Sequence, residues 1–200
     1  MDGIGWAAGA MISARSRLEI ATGNLANAST DGFRKHLAHG VLTQSGVRIG
    51  VEVSSEQGAL RRTGRPFDLA LVGPGAFTVV DEHGRSTQTR DGAFSRDRYG
   101  ALRDDTGRRL TGTRGIIRVP EGAAIDPDGT IRKDGVVLDR LPFHHGTSLQ
   151  SGFLESSNVN AIAEMIDLLG AQRSFESAQK VMSAIDAVEQ KTSNEIARLK

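Results

Sequence analysis

Residues 4–28 read IGWAAGAMISARSRLEIATGNLANA, and their apolar positions repeat every seven residues. The larger members of this repeat are Ile4, Met11, Leu18 and Leu25, and an alanine follows each of them three positions later. The spacing is typical of a helix with one apolar seam, and the small alanine side chains allow a second helix to approach closely. The segment 1–30 is therefore predicted to be an N-terminal helical arm.

The C-terminal segment carries a matching seam and contains no proline from Val159 to Leu199. Its seam residues at heptad spacing are Leu168, Phe175, Met182 and Ile196, with Ile185 three positions after Met182. We expect one long helix over 158–200, pairing with the N-terminal arm like a coiled coil.

Further apolar residues of the C-terminal segment lie off this seam. An offset stripe comes earlier along the chain and later members stand alone; they are Val159, Ile162, Ile166, Leu169, Val181 and Val188. Two paired helices would leave these side chains in water, which indicates partner helices and therefore an assembly.

Glycine and proline are concentrated in the middle of the chain. Of the 24 glycines, 19 lie between Gly32 and Gly152, together with all five prolines. Short apolar runs there are separated by turn sequences such as Asp128-Gly129 and Asp134-Gly135. We expect an extended connector with a β ribbon over 31–64, an antiparallel β domain over 65–145 and a second connector over 146–157. The predicted fold class is α+β, with the β domain inserted between two long helices.

Composition and motifs argue against several classes of function. Lysine and arginine total 25 against 24 acidic residues, which disfavours a nucleic-acid binder that relies on a strong basic field. The chain has no cysteine, and no apolar run approaches the roughly 18 residues that span a membrane. Asp126-Pro127-Asp128-Gly129 is better explained as a hairpin turn than as a calcium loop. We therefore expect no catalytic residues, no cofactor and no metal.

Four motifs carry a resemblance to a known family. The stretch 24–33, NLANASTDGF, resembles the N-terminal signature of bacterial flagellar rod and hook proteins. The C-terminal signature is similar to Ser156–Asn160, Glu164-Met165 and Ala171–Glu176, and the β-domain motifs to 67–71 and 89–94. Within the family the sequence is most similar to proximal-rod proteins, and distal-rod or hook proteins are the alternative.

The resemblance implies a structural subunit that assembles helically into a hollow, torque-transmitting shaft. Its partners would be copies of itself, other flagellar axial proteins and the flagellar type III export apparatus. The implied location is the flagellar basal body in the cell envelope, reached without a cleaved signal peptide. The expectation of no cleaved signal also rests on Asp2, which stands where a signal peptide has positive charge.

Beyond the two helical seams, the expected assembly surface includes the junctions between helices and connectors. The residues assigned to it there are Asn24, Asn27, Gly32, Phe33, Asn158, Val159 and Asn160. The asparagines can either cap helix ends locally or bond across subunits. Gly32 is expected to adopt a positive φ after the first helix.

Two functions from other classes stay open at this stage. The first is a β domain that binds glycan or peptide at the end of a coiled-coil stalk, for which Tyr99 is the one prominent aromatic residue. The second is a hydrolase acting on peptidoglycan, which would need a carboxylate pair in a cleft.

Overall fold

The computed structural model describes residues 3–43, 46–143 and 145–198 and divides them into two compact units. Unit 1 comprises residues 1–28, 35–54 and 159–200, within those described limits. Unit 2 comprises residues 29–34 and 55–158. The outermost residues of the predicted terminal helices, 1–2 and 199–200, lie outside the described residues.

Unit 1 consists of two helices and one β ribbon. The helices are α1 (Gly3–Ala26) and α2 (Ala161–Arg198), and the strands are β1 (His36–Thr43) and β2 (Gly46–Val53). The strands pair antiparallel in a continuous register from His36 opposite Val53 to Thr43 opposite Gly46. This ribbon lies inside the range predicted as a connector. Neither helix, over the described residues, combines the length and apolar character required to cross a membrane.

Unit 2 is built from short antiparallel strands. They are β3 (Leu60–Arg62), β4 (Leu69–Val72), β5 (Phe77–Val80), β6 (Ser86–Thr89), β7 (Ser95–Arg96), β8 (Leu102–Arg103), β9 (Arg109–Gly112), β10 (Gly115–Ile116), β11 (Ala124–Ile125), β12 (Thr130–Lys133), β13 (Val136–Arg140), β14 (Ser148–Ser151) and β15 (Phe153–Glu155). The largest sheet has the order β6-β5-β9-β8-β7, and β10 also pairs with β9. A second sheet has the order β11-β12-β13. The predicted α+β class, with paired terminal helices and an antiparallel β region between them, is confirmed.

The core of unit 2 is one cluster of buried apolar side chains. Its members are Leu69, Leu71, Phe77, Val79, Phe94, Leu102, Leu110, Ile117, Val119, Ile131, Leu141 and Leu149. At its centre the rings of Phe77 and Phe94 meet edge to face, with centroids 5.4 Å apart and planes at 89°. This geometry places the positive edge of one ring on the negative face of the other.

The same turn geometry recurs among the described hairpins of unit 2. An aspartate opens each turn and a glycine with φ between 79° and 83° closes it three residues later, in the pairs Asp81–Gly84, Asp97–Gly100, Asp104–Gly107 and Asp126–Gly129. The glycine N–H donates to the aspartate carbonyl in each turn. The turns predicted from glycine content are therefore confirmed, and the positive φ explains why glycine is required.

A buried ion pair holds several of these loops together. Arg90 and Glu155 are both buried, and Arg90 Nε and Nη2 lie 2.8 and 2.5 Å from Glu155 Oε2. The remaining guanidinium N–H groups donate to the carbonyls of Leu71, Gly73 and Gly75. Burial lowers the pKa of Arg90, and the ion pair with Glu155 opposes that shift. All five N–H donors of the guanidinium thus have acceptors, which compensates for burying its charge.

The stretch 146–157, expected to be a connector, contains two strands. Strand β14 pairs with β4, and β15 pairs with β3. Only Leu149 and Leu154 contribute buried apolar side chains there, so the stretch has the composition of a loop. Gly152, with φ 81°, forms the turn between the two strands.

The start of α2 also differs from the expectation that Ser157 or Asn158 would cap it. The helix begins at Ala161, and Asn160 Oδ1 accepts hydrogen bonds from the N–H groups of Ile162 and Ala163, at 3.0 and 3.2 Å. An N-cap side chain reaches the second and third helical N–H groups from the position directly before the helix. Asn158 lies too early for this and donates to the Glu56 carbonyl instead.

Gly32 provides a direct test of how unit 2 is held together. It has φ 71° as predicted, and a Cβ built there would lie 2.2 Å from the Asp91 backbone nitrogen. Gly64 has nearly the same φ, 75°, with no neighbouring atom within 4 Å of its built Cβ. We expect Gly64→Ala to cost about 1–2 kcal/mol through backbone strain alone, and Gly32→Ala to cost clearly more because the backbone must also move. Urea unfolding followed by far-UV circular dichroism measures both, and equal losses would contradict this packing.

Candidate assembly interface

The two predicted helical seams meet within one chain. The buried seam residues are alanines: Ala7, Ala14 and Ala21 of α1, and Ala171 and Ala178 of α2. The larger seam residues are half-buried beside them; they are Ile4, Met11, Leu18, Leu25, Leu168, Phe175, Met182 and Ile185. Ile196 belongs to α2, but its side chain is outside the described part of the structure. Because alanine is small, the two helices approach closely and the larger residues flank the contact.

The two helices run antiparallel. At the start of α1, a Cβ built on Gly3 would lie 3.3 Å from Ile185 Cδ1, in the C-terminal half of α2. Near the end of α1, Asn24 Nδ2 donates to Glu164 Oε2, in the first turn of α2, at 3.1 Å. The seam is therefore an intramolecular hairpin contact that runs along α1 from its first turn to its last.

Asn24, Lys35, His36 and Glu164 form a polar group at one end of this hairpin, which we call the junction cluster. Asn24 pairs with the backbone of His36: its Oδ1 accepts from the His36 N–H and its Nδ2 donates to the His36 carbonyl, both at 2.8 Å. Glu164 is 2% exposed and forms an ion pair with Lys35 Nζ at 2.5 Å. One asparagine side chain thus joins α1, the first residue of β1 and α2.

The other predicted asparagines also bond within the chain. Asn27 Nδ2 donates to the Gly23 carbonyl at 2.9 Å, one turn back along α1. Asn158 donates to Glu56 and Asn160 caps α2, as described above. These bonds favour the local alternative for the hydrogen bonds that they describe, and a further role between subunits stays a prediction.

Three predicted interface residues lie close to the points where the helical segments join the rest of the chain. The Gly32 N–H donates to the Glu155 carbonyl at 2.6 Å, and the Phe33 carbonyl accepts from the Asn158 N–H at 3.4 Å. Phe33 and Val159 are half-buried. In unit 2, therefore, the segment that follows α1 is hydrogen-bonded to the segment that precedes α2.

A second apolar surface of unit 1 is left uncovered; we call it the outer ridge. It consists of Ile162, Met165, Ile166 and Leu169, whose exposed fractions are 72%, 50%, 65% and 53%. Their spacing of three and four residues places them on one face of α2. Sequence reasoning identified part of this stripe but left it out of the assigned interface, because the heptad seam was the stronger pattern.

The outer ridge borders a groove between α1, α2 and β1. The groove has a volume of about 910 Å³. Small residues line much of it, including Gly5, Gly9 and Ala10 of α1 and Gly170 and Ser174 of α2, and Ile166 belongs to both groove and ridge. A built Cβ on Gly9 or Gly170 meets no atom within 4 Å, so the small residues leave open space here. A groove lined by small residues beside an apolar ridge can accept a row of side chains from another helix.

The arrangement has the chemistry of packing rather than of ligand binding by charged groups. Over the residues that the structure describes, no group of three histidine, aspartate or glutamate side chains is placed to hold a metal ion. The groove walls are mainly apolar or small, and the charged groups of the junction cluster already bond one another.

Comparison with known proteins identifies the family. Residues 5–34 match the model of the flagella basal body rod protein, residues 70–138 that of the flagellar hook protein FlgE/F/G D1 domain, and residues 150–195 that of the flagellar basal body rod FlgEFG protein C-terminal region. The flagellar basal-body rod protein FlgF of Escherichia coli is 31% identical, over 90% of this chain and 92% of the relative. FlgF of Caulobacter vibrioides is 30% identical, over 84% and 86%. FlgG of Buchnera aphidicola from Schizaphis graminum is 25% identical, over 88% and 92%.

The fold and these matches together define a structural protein of the bacterial flagellum. They also confirm the resemblance drawn from the four sequence motifs. The chain belongs to the flagellar basal-body rod protein family. The rod family is supported for both the proximal and the distal type.

Asn24→Asp tests the junction cluster. The substitution removes the donor to His36 and places a second carboxylate beside buried Glu164, so we expect unit 1 to lose about 2–4 kcal/mol of stability. Adding Glu164→Gln should recover part of the loss, because the second charge is removed. The matched control is Asn27→Asp, which changes one half-buried bond and should cost about 1 kcal/mol or less. Thermal unfolding of the helical circular dichroism signal measures all three variants. An equal loss in Asn24→Asp and Asn27→Asp would contradict the cluster.

Proposed function

We propose that this chain is a rod subunit that assembles helically, through its terminal helices, with copies of itself and with other flagellar axial proteins. The observation that supports this most strongly is the outer ridge. Four large apolar side chains on one helical face are exposed by half or more, although the seam of the same helix is already covered by α1. Burying such side chains contributes about 1.5–3 kcal/mol each when the burial is complete.

The groove beside the ridge suggests how neighbouring copies meet. We propose that the outer ridge of one copy enters the groove of the next, where Gly9 and Gly170 leave room for large side chains. Ridge and groove are different surfaces, so the contact is heterologous and repeats from copy to copy instead of ending at a dimer. A repeated contact of this kind generates a helical array.

The proposed mechanical role follows from the packing of the hairpin. A shaft transmits torque if its subunits resist sliding and twisting against one another. Close helix packing resists both, because interdigitated side chains cannot be displaced without opening cavities. The alanine seam would resist deformation within each copy, and the ridge–groove contact would resist it between copies, in a hollow shaft.

The remaining parts of the proposal rest on family membership. We propose that the chain reaches the basal body, in the cell envelope, through the flagellar type III export apparatus without signal cleavage, and that it acts without catalysing a reaction. The higher identity to two FlgF proteins, 30% and 31%, than to the FlgG relative, 25%, favours a position of the FlgF type.

Ile166→Asp tests the assembly surface. Ile166 is 65% exposed in the single copy, so its replacement should leave the fold intact. In the assembly the new carboxylate would be buried among apolar groups, so we expect association at least about tenfold weaker. Sedimentation velocity on the purified full chain and recovery of the chain in isolated basal bodies provide the two readouts.

The matched control is Gln179→Asp, which introduces the same side chain on the same helix. Gln179 is exposed and follows Ile166 by 13 residues, which places it on a different face of α2. This variant should associate and incorporate like the unaltered chain. Normal incorporation of Ile166→Asp into basal bodies would refute the proposed surface.

A further inference from the structure

Unit 2 carries three guanidinium groups around one exposed aromatic ring. The Arg98 guanidinium carbon lies 4.8 Å from the centroid of the Tyr99 ring, and Tyr99 is 61% exposed. Arg118 donates to the Tyr99 carbonyl at 3.3 Å, and Arg96 to the Val119 carbonyl at 3.5 Å. We call Arg96, Arg98, Tyr99 and Arg118 the cationic patch.

No described carboxylate lies within ion-pair distance, 4.0 Å, of the three arginines of this patch. Asp97 is adjacent in sequence, but its Oδ2 accepts from Arg103 Nε at 2.9 Å and its Oδ1 accepts from the backbone of Tyr99 and Ala101. The patch therefore carries a surplus of about three positive charges on an exposed surface. Guanidinium groups beside an aromatic ring favour an anionic protein surface as partner.

The same unit carries a group of four aspartates, which we call the acidic cluster: Asp31, Asp91, Asp104 and Asp105. The backbone at Gly32 lies against the Asp91 nitrogen, which places Asp31 close to Asp91. Burial raises the pKa of Asp91, and the carboxylates of Asp105, Asp31 and Asp104 raise it further. Asp31 is paired with Arg61 and Asp104 with Arg108, whereas Asp91 and Asp105 have no ion pair among the described residues. The cluster therefore carries a negative surplus.

The two charged surfaces lie at opposite ends of strand β8. The turn 97–100, which carries Tyr99, precedes this strand, and the turn 104–107, which carries Asp104 and Asp105, follows it. Four residues of extended chain separate the two turns by about 13 Å. One copy therefore presents positive charge at one end of the strand and negative charge at the other.

We propose that the cationic patch of one copy docks on the acidic cluster of a second copy of this chain, head to tail. The inference rests on the proposed function, because it requires the chain to self-assemble. Charge complementarity supports the second copy as the occupant, since the chain supplies both surfaces and has a net charge of only +1. The contact joins unlike surfaces, so it extends along an array and adds a β-unit contact to the helical one.

A charge swap tests the pairing of the two surfaces. Arg118→Asp and Asp105→Arg each place like charges opposite one another, and we expect each to weaken self-association by about tenfold or more at low salt. The double variant restores opposite charges in every contact and should return to within about threefold of the unaltered chain. Sedimentation velocity at low and high salt measures all four proteins.

Cross-linking tests the orientation, and the absence of native cysteine makes it clean. Arg98→Cys combined with Asp105→Cys should give a ladder of disulfide-linked oligomers under oxidation, because each copy offers one cysteine at each end. The two sites are too far apart within one copy for an internal disulfide. Dimers from Arg98→Cys alone would indicate a like-to-like contact and overturn the head-to-tail arrangement.

The outcomes separate this inference from the proposed function. If the unaltered chain shows no self-association, the proposed function and this inference both fail. If it self-associates, yet the single charge reversals do not weaken association and no ladder forms, this inference alone is overturned. Weakening by each reversal, recovery in the double variant and a ladder together support it.

Discussion

The hydrogen bond from the Gly32 N–H to the Glu155 carbonyl, 2.6 Å long, holds together the two segments that lead to the helices. Without it, the two helical sequences would be joined by more than a hundred residues, and loop closure would oppose their pairing by about 4 kcal/mol. The Glu155 side chain is fixed in turn by Arg90, whose other donors bond the loop carbonyls of Leu71, Gly73 and Gly75. Folding of unit 2 thus brings the starting points of the two helical segments together.

Within unit 1, the alanine seam and the junction cluster satisfy different requirements. The seam removes small apolar side chains from water and permits close approach, but it does not by itself fix the position of one helix along the other. Asn24 fixes that position, because its amide must meet both the backbone of His36 and the carboxylate of Glu164. Since the seam is completed within the chain, the outer ridge is the surface left for neighbouring copies.

The sequence predicted the features that repeat and missed those that depend on single long-range contacts. Heptad spacing identified the residues of the α1–α2 contact, and aspartate–glycine pairs located the hairpin turns. The pairing of Asn24 with His36 and Glu164 has no periodic signal, because those residues meet only after the chain has folded. Strand β9 was missed for a similar reason: Leu110 is its one buried side chain, and the arginine and threonine beside it have the composition of a loop. Arg90 and Glu155 could not be recognised as buried, since charged residues are usually exposed and their burial depends on partners 65 positions apart.

The central claim is that the helical hairpin is complete within one copy and that its outer ridge is covered by neighbours in the rod. Met165, half exposed on the ridge, and Met182, half-buried in the seam, are natural probes for this claim. Oxidative footprinting of the isolated chain and of assembled basal bodies compares the reactivity of both methionines in the two states. The account predicts that Met165 is strongly protected on assembly while Met182 changes little. Equal reactivity of Met165 in the isolated chain and in the assembled rod would contradict it.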